Sequence, residues 1–167
     1  PTWSKNTVPI FREVYPRVLV LDLSNNMLTN DLSPSRVSRA KYKIRDLFKM
    51  ETGGLYGLVV FTSEPFVVSP LTEDAKTIES LVPSLSPEMM PVQGYHLSQG
   101  IQEAAKLIEQ AGYGSGDILV LTGSQPSQKT IQKAGELAQK NIYTSILPVL
   151  KNSSINQSFY KFAEAGK

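Results

Sequence analysis

Two short segments hold the residue types best suited to chemistry. Asp22-Leu23-Ser24-Asn25-Asn26 begins at the end of the apolar run RVLVLD (17–22), and Thr122-Gly123-Ser124 closes the run DILVLT (117–122). Asp22, Ser24 and Asn26 offer a carboxylate, a hydroxyl and an amide oxygen on alternate residues, a pattern that can wrap a hard cation such as Mg²⁺ or Mn²⁺. Asp22 at a strand end could also accept a phosphoryl group. That chemistry pairs its nucleophile with a second carboxylate for the metal, and here the residue two positions on is Ser24. A structural role is the third reading: a carboxylate accepting hydrogen bonds from loop amides and from Ser24 or Asn26.

Composition removes most other chemistries. The 167 residues contain no cysteine, which excludes disulfides, thiol nucleophiles and cysteine-ligated metals. The single histidine, His96, leaves no basis for a histidine metal site or a Ser–His–Asp triad. The phosphate-cradling loops G-x-x-x-x-G-K-[ST] and G-x-G-x-x-G are absent, and the glycines at 112, 114 and 116 precede a strand and read as a turn. Seventeen basic against fifteen acidic residues give a net charge of +2, too mild to mark nucleic acid or an anionic membrane as the main partner. No apolar run approaches the roughly 18 residues of a membrane span. The chain begins Pro-Thr-Trp without an initiator Met, so a piece of a longer protein is expected.

The elements that must position these residues follow from periodicity. Short apolar strands alternate with helical stretches, which predicts a doubly wound α/β fold with a mostly parallel central sheet and helices on both faces. The runs at 17–22 and 117–122 read as central strands, and 142–147 as a last parallel strand. YGLVVFT (56–62), the turn Ser63-Glu64-Pro65 and residues 66–69 read as a hairpin that adds one antiparallel edge strand. Ser33 before Pro34 reads as the N-cap of a helix running to about Met50, with Val37, Ala40, Ile44, Leu47 and Phe48 on its apolar face. Thr72 is expected to cap a short helix over 73–81, and Pro83, Pro87 and Pro91 make the next segment a loop with room for one helical turn. Further helices are expected around 97–108, 131–138 and 156–165. One domain covers residues 1–167.

In such sheets ligands sit at the carboxyl ends of the strands, where both candidate segments lie. At this point the chain resembles the von Willebrand factor A domain family, and within it the bacterial membrane-anchored, aerotolerance-type (Bat-like) proteins. VLVLDLSNNM resembles the family's first strand with its D-x-S-x-S metal motif, PSRVSRAKYKIRDLF the helix after it, and YGLVVFTSEPFVVSPLTED its hairpin. PVQGYHLSQGI resembles the second ligand loop and GDILVLTGSQ the third. The resemblance implies a metal-ion-dependent adhesion site built from an Asp and two Ser, a Thr, and an Asp, with a partner's carboxylate completing the metal shell.

Carried over by position, this chain keeps Asp22 and Ser24 but has Asn26 at the second serine, Tyr95 at the threonine and Gly123 at the aspartate. One carboxylate and two neutral oxygens offset little of the dehydration cost of Mg²⁺. Asp117 begins its strand, about 15–20 Å from the other end, and cannot replace the lost acid. Asp31 could do so only through an unusual loop. The expectation is therefore a vestigial metal site (Asp22, Ser24, Asn26) and no cofactor, with weak Mg or Mn binding as the alternative.

The function expected is a non-enzymatic protein-interaction module, recognising another protein through Asn25, Tyr95, His96, Gly123 and Ser124. The resemblance further implies a bacterial inner-membrane complex, with the domain facing the periplasm and contacting the membrane only through flanking segments. Tyr95 reads either as an aromatic anchor or as a plug in the vacated pocket. His96 reads as a pH-responsive contact or an exposed polar residue. The basic residues of the 36–49 helix, among them Arg36, Arg39, Lys41, Lys43, Arg45 and Lys49, read as a docking face or a solvated surface. Lys129, Lys133 and Lys140 read as solvated, and Trp3, Phe11 and Tyr15 as packing across the sheet edge or bottom.

Overall fold

Alternation of side chains along a strand sends Val18 and Val20 to one face of the sheet and Leu19 and Leu21 to the other, and all four are fully buried. They form the middle of β1 (Pro16–Asp22) in a computed structural model that describes residues 15–50 and 53–167. A strand buried on both faces must be central. β1 pairs in parallel with β2 (Leu55–Phe61) on one side and with β4 (Gly116–Thr122) on the other. β3 (Pro65–Thr72) runs antiparallel to β2, and β5 (Ile142–Pro148) parallel to β4. The order β3-β2-β1-β4-β5 gives the mostly parallel sheet with one antiparallel edge strand that the sequence predicts. The chain reverses direction across the sheet between β1 and β4, which opens a crevice at their carboxyl ends.

Helices cover both faces. α1 (Arg36–Met50) and α2 (Ala75–Leu81) pack Val37, Ala40, Ile44, Phe48 and Ile78 onto Leu19 and Leu21. α3 (Leu97–Gln110), α4 (Gln128–Ala138) and α5 (Gln157–Ala165) pack Ile101, Ala104, Ile108, Ala134 and Phe162 onto Val18 and Val20. Gly100 brings α3 close to the sheet, since a Cβ there would lie 3.1 Å from Val20 Cγ1 and 3.2 Å from Phe61. Truncating a core leucine such as Leu19 or Leu21 costs about 2–5 kcal/mol by cavity formation.

Two expected caps are corrected. Ser33 and Pro34, joined by a cis peptide, lie before α1 rather than at its cap. Ser35 takes that role, its hydroxyl accepting from the amide of Ser38 at 3.2 Å, while the amide of Arg36 donates back to the carbonyl of Thr29. Likewise Thr72 accepts from the amide of Asp74, and Asp74 caps α2 by accepting from the amide of Thr77. The proline-rich stretch holds two 3₁₀ turns, Val82–Ser84 and Pro87–Met89. Trp3 and Phe11 lie outside the described residues, and Tyr15 is partly exposed.

The described ends of the chain lie at the edge opposite the crevice. Pro16 starts β1, and the carbonyl of Gly166 accepts from the amide of Thr144 near the start of β5. Seven residues of strand put about 20 Å between that edge and Asp22. Among the described residues no helix is long and apolar enough to cross a membrane.

Candidate functional site at the crevice between β1 and β4

Asp22 ends β1 with no exposed surface. Its Oδ1 accepts from the amide of Ser24 at 2.8 Å, and its Oδ2 from the hydroxyl of Thr122 at 2.7 Å. Thr122 has one proton, which this bond uses, so its oxygen is an acceptor for everything else around it. The amide of Ser124 donates to it at 3.1 Å, and the hydroxyl of Tyr95 lies 2.9 Å from it and 3.2 Å from the carbonyl of Ser124. Tyr95, Thr122 and Asp22 thus form a relay of hydroxyls ending on a buried carboxylate.

Burial pushes the Asp22 carboxyl above its ordinary value, against hydrogen bonds from Ser24 and Thr122 that favour the charged form. The Ser24 hydroxyl, near enough to favour the carboxylate, falls outside hydrogen-bonding geometry and is left buried without a partner. The phenol of Tyr95 is pushed up as well, by burial first and by the charge of Asp22 second. It therefore stays a neutral donor. Its ring packs at 5.5 Å on Phe61, and its hydroxyl points into the crevice.

Gly123 is buried under Arg36. The guanidinium donates from Nη1 to the carbonyl of Gly123 at 2.8 Å, and a Cβ at that glycine would lie 2.8 Å from Arg36 Cδ and 3.2 Å from Met27 Sδ. Arg36 is held in turn by Asp31 through two parallel bonds, Nε to Oδ1 at 2.7 Å and Nη2 to Oδ2 at 3.0 Å. These bonds hold the Asp31 carboxyl well below the carboxylate range, at about 2. Asp31 also accepts from the amide of Lys151, so the Asp31–Arg36 pair ties the loops after β1, β4 and β5 together. Arg36, read from sequence as part of a basic helix surface, is only 9% exposed.

The expected site residues separate into an inner set and a rim. Asp22, Ser24, Tyr95, Gly123 and Ser124 meet in the crevice, with Asn26 donating from Nδ2 to Gly123 O and Ser124 Oγ at 3.2 and 2.6 Å. Asn25 is exposed on the rim, its amide donating to Gln93 Oε1 at 2.9 Å. His96 is exposed at the start of α3, against the turn between β2 and β3: its amide donates to Thr62 O and its Nδ1 lies 2.9 Å from Ser63 O. Lys133, expected to be solvated, is half-buried and donates to Gln102 Oε1.

Sequence reasoning put Thr122 at the candidate strand end and weighed Asp31 as a replacement ligand without finding the contacts of either, and it missed Arg36 and Gln93 as members of this site. Thr122 carried a signal, a polar residue ending an otherwise apolar central strand. The spacing of Asp31 and Arg36, an acid and a base either side of a helix start, was a weaker one. Among the described residues no three of His, Cys, Asp and Glu gather as a metal would require.

A family model described as the von Willebrand factor type A domain matches residues 17–125. No curated protein matches the chain in sequence. Among solved structures, BatB, a conserved hypothetical protein of Bacteroides thetaiotaomicron, is similar with a TM-score of 0.78 and 24% identity, over 91% of this chain and 86% of that one. An aerotolerance-related membrane protein of Bacteroides fragilis gives 0.79 and 24%, over 91% and 88%. A mutant of the PilB minor pilin of Streptococcus sanguinis gives 0.65 and 14%, over 95% of this chain and 55% of that one. At these identities the likeness is one of fold.

Proposed function

Because the chain belongs to the von Willebrand factor type A domain family, we propose that it is a non-enzymatic protein-interaction module whose metal-ion-dependent adhesion site has been replaced by internal hydrogen bonds. The observation that carries the reading is the guanidinium of Arg36 packed on Gly123. The family resemblance puts a metal-binding aspartate at that position. Here the space for its Cβ is taken by a cation, and a second cation beside it would be repelled.

The rest of the donor set agrees. The two oxygens of Asp22 are engaged by Ser24 and Thr122, Tyr95 fills the side of the crevice where the family has a threonine, and Asn26 turns an amide donor inward. One enclosed carboxylate, with a guanidinium packed on Gly123, does not fit a divalent cation that needs several oxygen ligands and prefers carboxylates. Enclosure of Asp22 equally disfavours phosphoryl acceptance, which needs the carboxylate open to a donor.

Recognition would then use the polar rim of the crevice: Asn25, Asn26, His96 and the edge of Ser124. Flanking segments attached at the opposite edge would leave this rim pointing away from them. Two of the solved structures similar in fold carry names describing membrane proteins, from Bacteroides fragilis and Vibrio fischeri. We place this domain in a membrane-associated bacterial complex on the periplasmic face of the inner membrane, anchored through flanking segments. The test is cross-linking to neighbours in intact membranes, with and without EDTA. Partner adducts that survive EDTA and are lost on Asn25→Arg with His96→Glu are expected. Adducts abolished by EDTA, or untouched by the substitutions, would overturn the reading.

One observation favours the metal-competent alternative. The Ser24 hydroxyl is buried beside Asp22 with no partner, as a ligand to a cation through Asp22, Ser24 and Asn26 would be. In that case a partner carboxylate would complete the shell and EDTA would abolish the adducts.

A further inference from the structure

Helix α1 holds six of the seventeen basic residues of the chain and one of its fifteen acids, so the remainder of the molecule is net negative. Arg36 is spent on Asp31. The other five, Arg39, Lys41, Lys43, Arg45 and Lys49, make no ion pair among the described residues, although pairs form elsewhere on the surface. Their hydrogen-bond partners are carbonyls: Arg39 donates to Ser33 O and Lys41 to Pro83 O. Unpaired positive charge concentrated on one helix is a field that attracts acidic partners.

Part of this face is concave. Between α1 and the α2–3₁₀ segment runs a groove of about 480 Å³, within the size range of ligand clefts. Tyr42 and Pro83, both exposed, supply its accessible apolar surface above the buried Ile44 and Val82. The ammonium of Lys41 lies across it at 3.0 Å from Pro83 O, with its pKa drawn down by desolvation. On the outer wall the guanidinium of Arg45 sits 5.3 Å over the exposed ring of Tyr42, which fixes the cation's position. Glu79 is the single acid of the lining.

We propose that this groove docks an acidic segment of a partner protein, its carboxylates on Lys41 and Arg45 and one apolar side chain against Tyr42 and Pro83. Charge complementarity selects the acid, and the exposed apolar surface of Tyr42 and Pro83 selects a peptide over a phosphate surface. A bilayer presents a flat array of headgroups and does not enter a groove between α1 and the 3₁₀ segment. The groove is separate from the crevice rim, so either surface can fail without the other. Exposed ion pairs contribute little each, so binding is expected to be weak and to fall with added salt.

The experiment is selection of a randomised displayed-peptide library against the immobilised chain, followed by fluorescence anisotropy of the enriched peptides at low and high salt. Lys41→Glu with Arg45→Glu removes the proposed contacts, and Lys129→Glu with Lys140→Glu makes the same charge change on exposed positions of α4 and of the turn after it. Vesicles containing phosphatidylglycerol form a parallel arm. Enriched peptides should carry Asp or Glu around an apolar residue and lose at least tenfold in affinity on the α1 variant alone. Thermal unfolding of both variants confirms that they fold. No enrichment, enrichment of peptides without acids, equal loss on both variants, or vesicle binding without peptide binding would each overturn the proposal.

Discussion

Arg36 donates a 2.8 Å hydrogen bond to the carbonyl of Gly123, while its Cδ lies 2.8 Å from where a Cβ on that residue would sit. The two positions therefore exclude each other's alternatives: a side chain at 123 needs Arg36 to move, and Arg36 is held by two bonds to Asp31. Gly123→Asp is expected to destabilise by about 1–3 kcal/mol, as overpacking of a filled site does. Removing the obstacle with Arg36→Ala should relieve part of this. A double-mutant cycle by urea denaturation should then give a favourable coupling of about 1 kcal/mol. Additive effects would contradict the packing argument.

The Asp31–Arg36 pair predicts an acid-sensitive contribution to stability. The Asp31 carboxyl is held down to about 2 by Arg36, against an ordinary value of 3.8. The stability it gives is therefore fully present above pH 3.8 and disappears as pH falls through about 2. The side chains are 13% and 11% exposed, so screening is limited. Asp31→Asn should cost about 1–2 kcal/mol at neutral pH, with the difference from wild type closing at low pH. A difference independent of pH would contradict the ion-pair account.

Asp22 runs in the opposite sense. Its folded-state carboxyl titrates above 3.8 because burial penalises the charge. Wild-type stability should thus be highest relative to Asp22→Asn below pH 3.8 and decline as pH rises through the folded value. Urea midpoints of both proteins from pH 3.5 to 8 measure this directly. A wild type that gains on the variant with rising pH would mean that an unrecognised cation balances the carboxylate.

Tyr95 separates a hydrogen bond from packing. Tyr95→Phe removes the hydroxyl that reaches Thr122 and Ser124 and should cost about 1 kcal/mol. Tyr95→Ala also removes the ring from Phe61 and should cost about 3–5 kcal/mol. Thermal unfolding of the two variants checks the order. Equal, near-zero losses would place the ring outside the crevice.

The sheet was legible because a strand buried on both faces must be a nearly continuous apolar run, as RVLVLD and DILVLT are. Helix ends were less so. Ser33 before Pro34 satisfies the local rules for a cap, but the amide of Arg36 reaching back to Thr29 O delays the helix past both. Thr72 and Asp74 are two good caps two residues apart, and only the hydrogen-bond geometry chooses between them. Within the site, Asp22 and Asn26 were legible from their place at a strand end, whereas Tyr95 and Gly123 were assigned as ligand positions through the resemblance to the family's ligand loops. Arg36 was not, because helical periodicity reports which face is apolar and cannot see that the first residue of a helix folds back over a neighbouring loop. What occupies the space left by a missing ligand is a tertiary fact.

The central claim is that internal hydrogen bonds close the site around Asp22 and that the Arg36 side chain fills the place of the missing aspartate. It is tested most directly by isothermal titration of the chain with Mn²⁺ and Mg²⁺ beside an Asp22→Ala variant. The account predicts no binding heat for either protein up to millimolar metal. Micromolar binding by the wild type that vanishes in Asp22→Ala would contradict it, and would mean that Asp22, Ser24 and Asn26 still hold a metal.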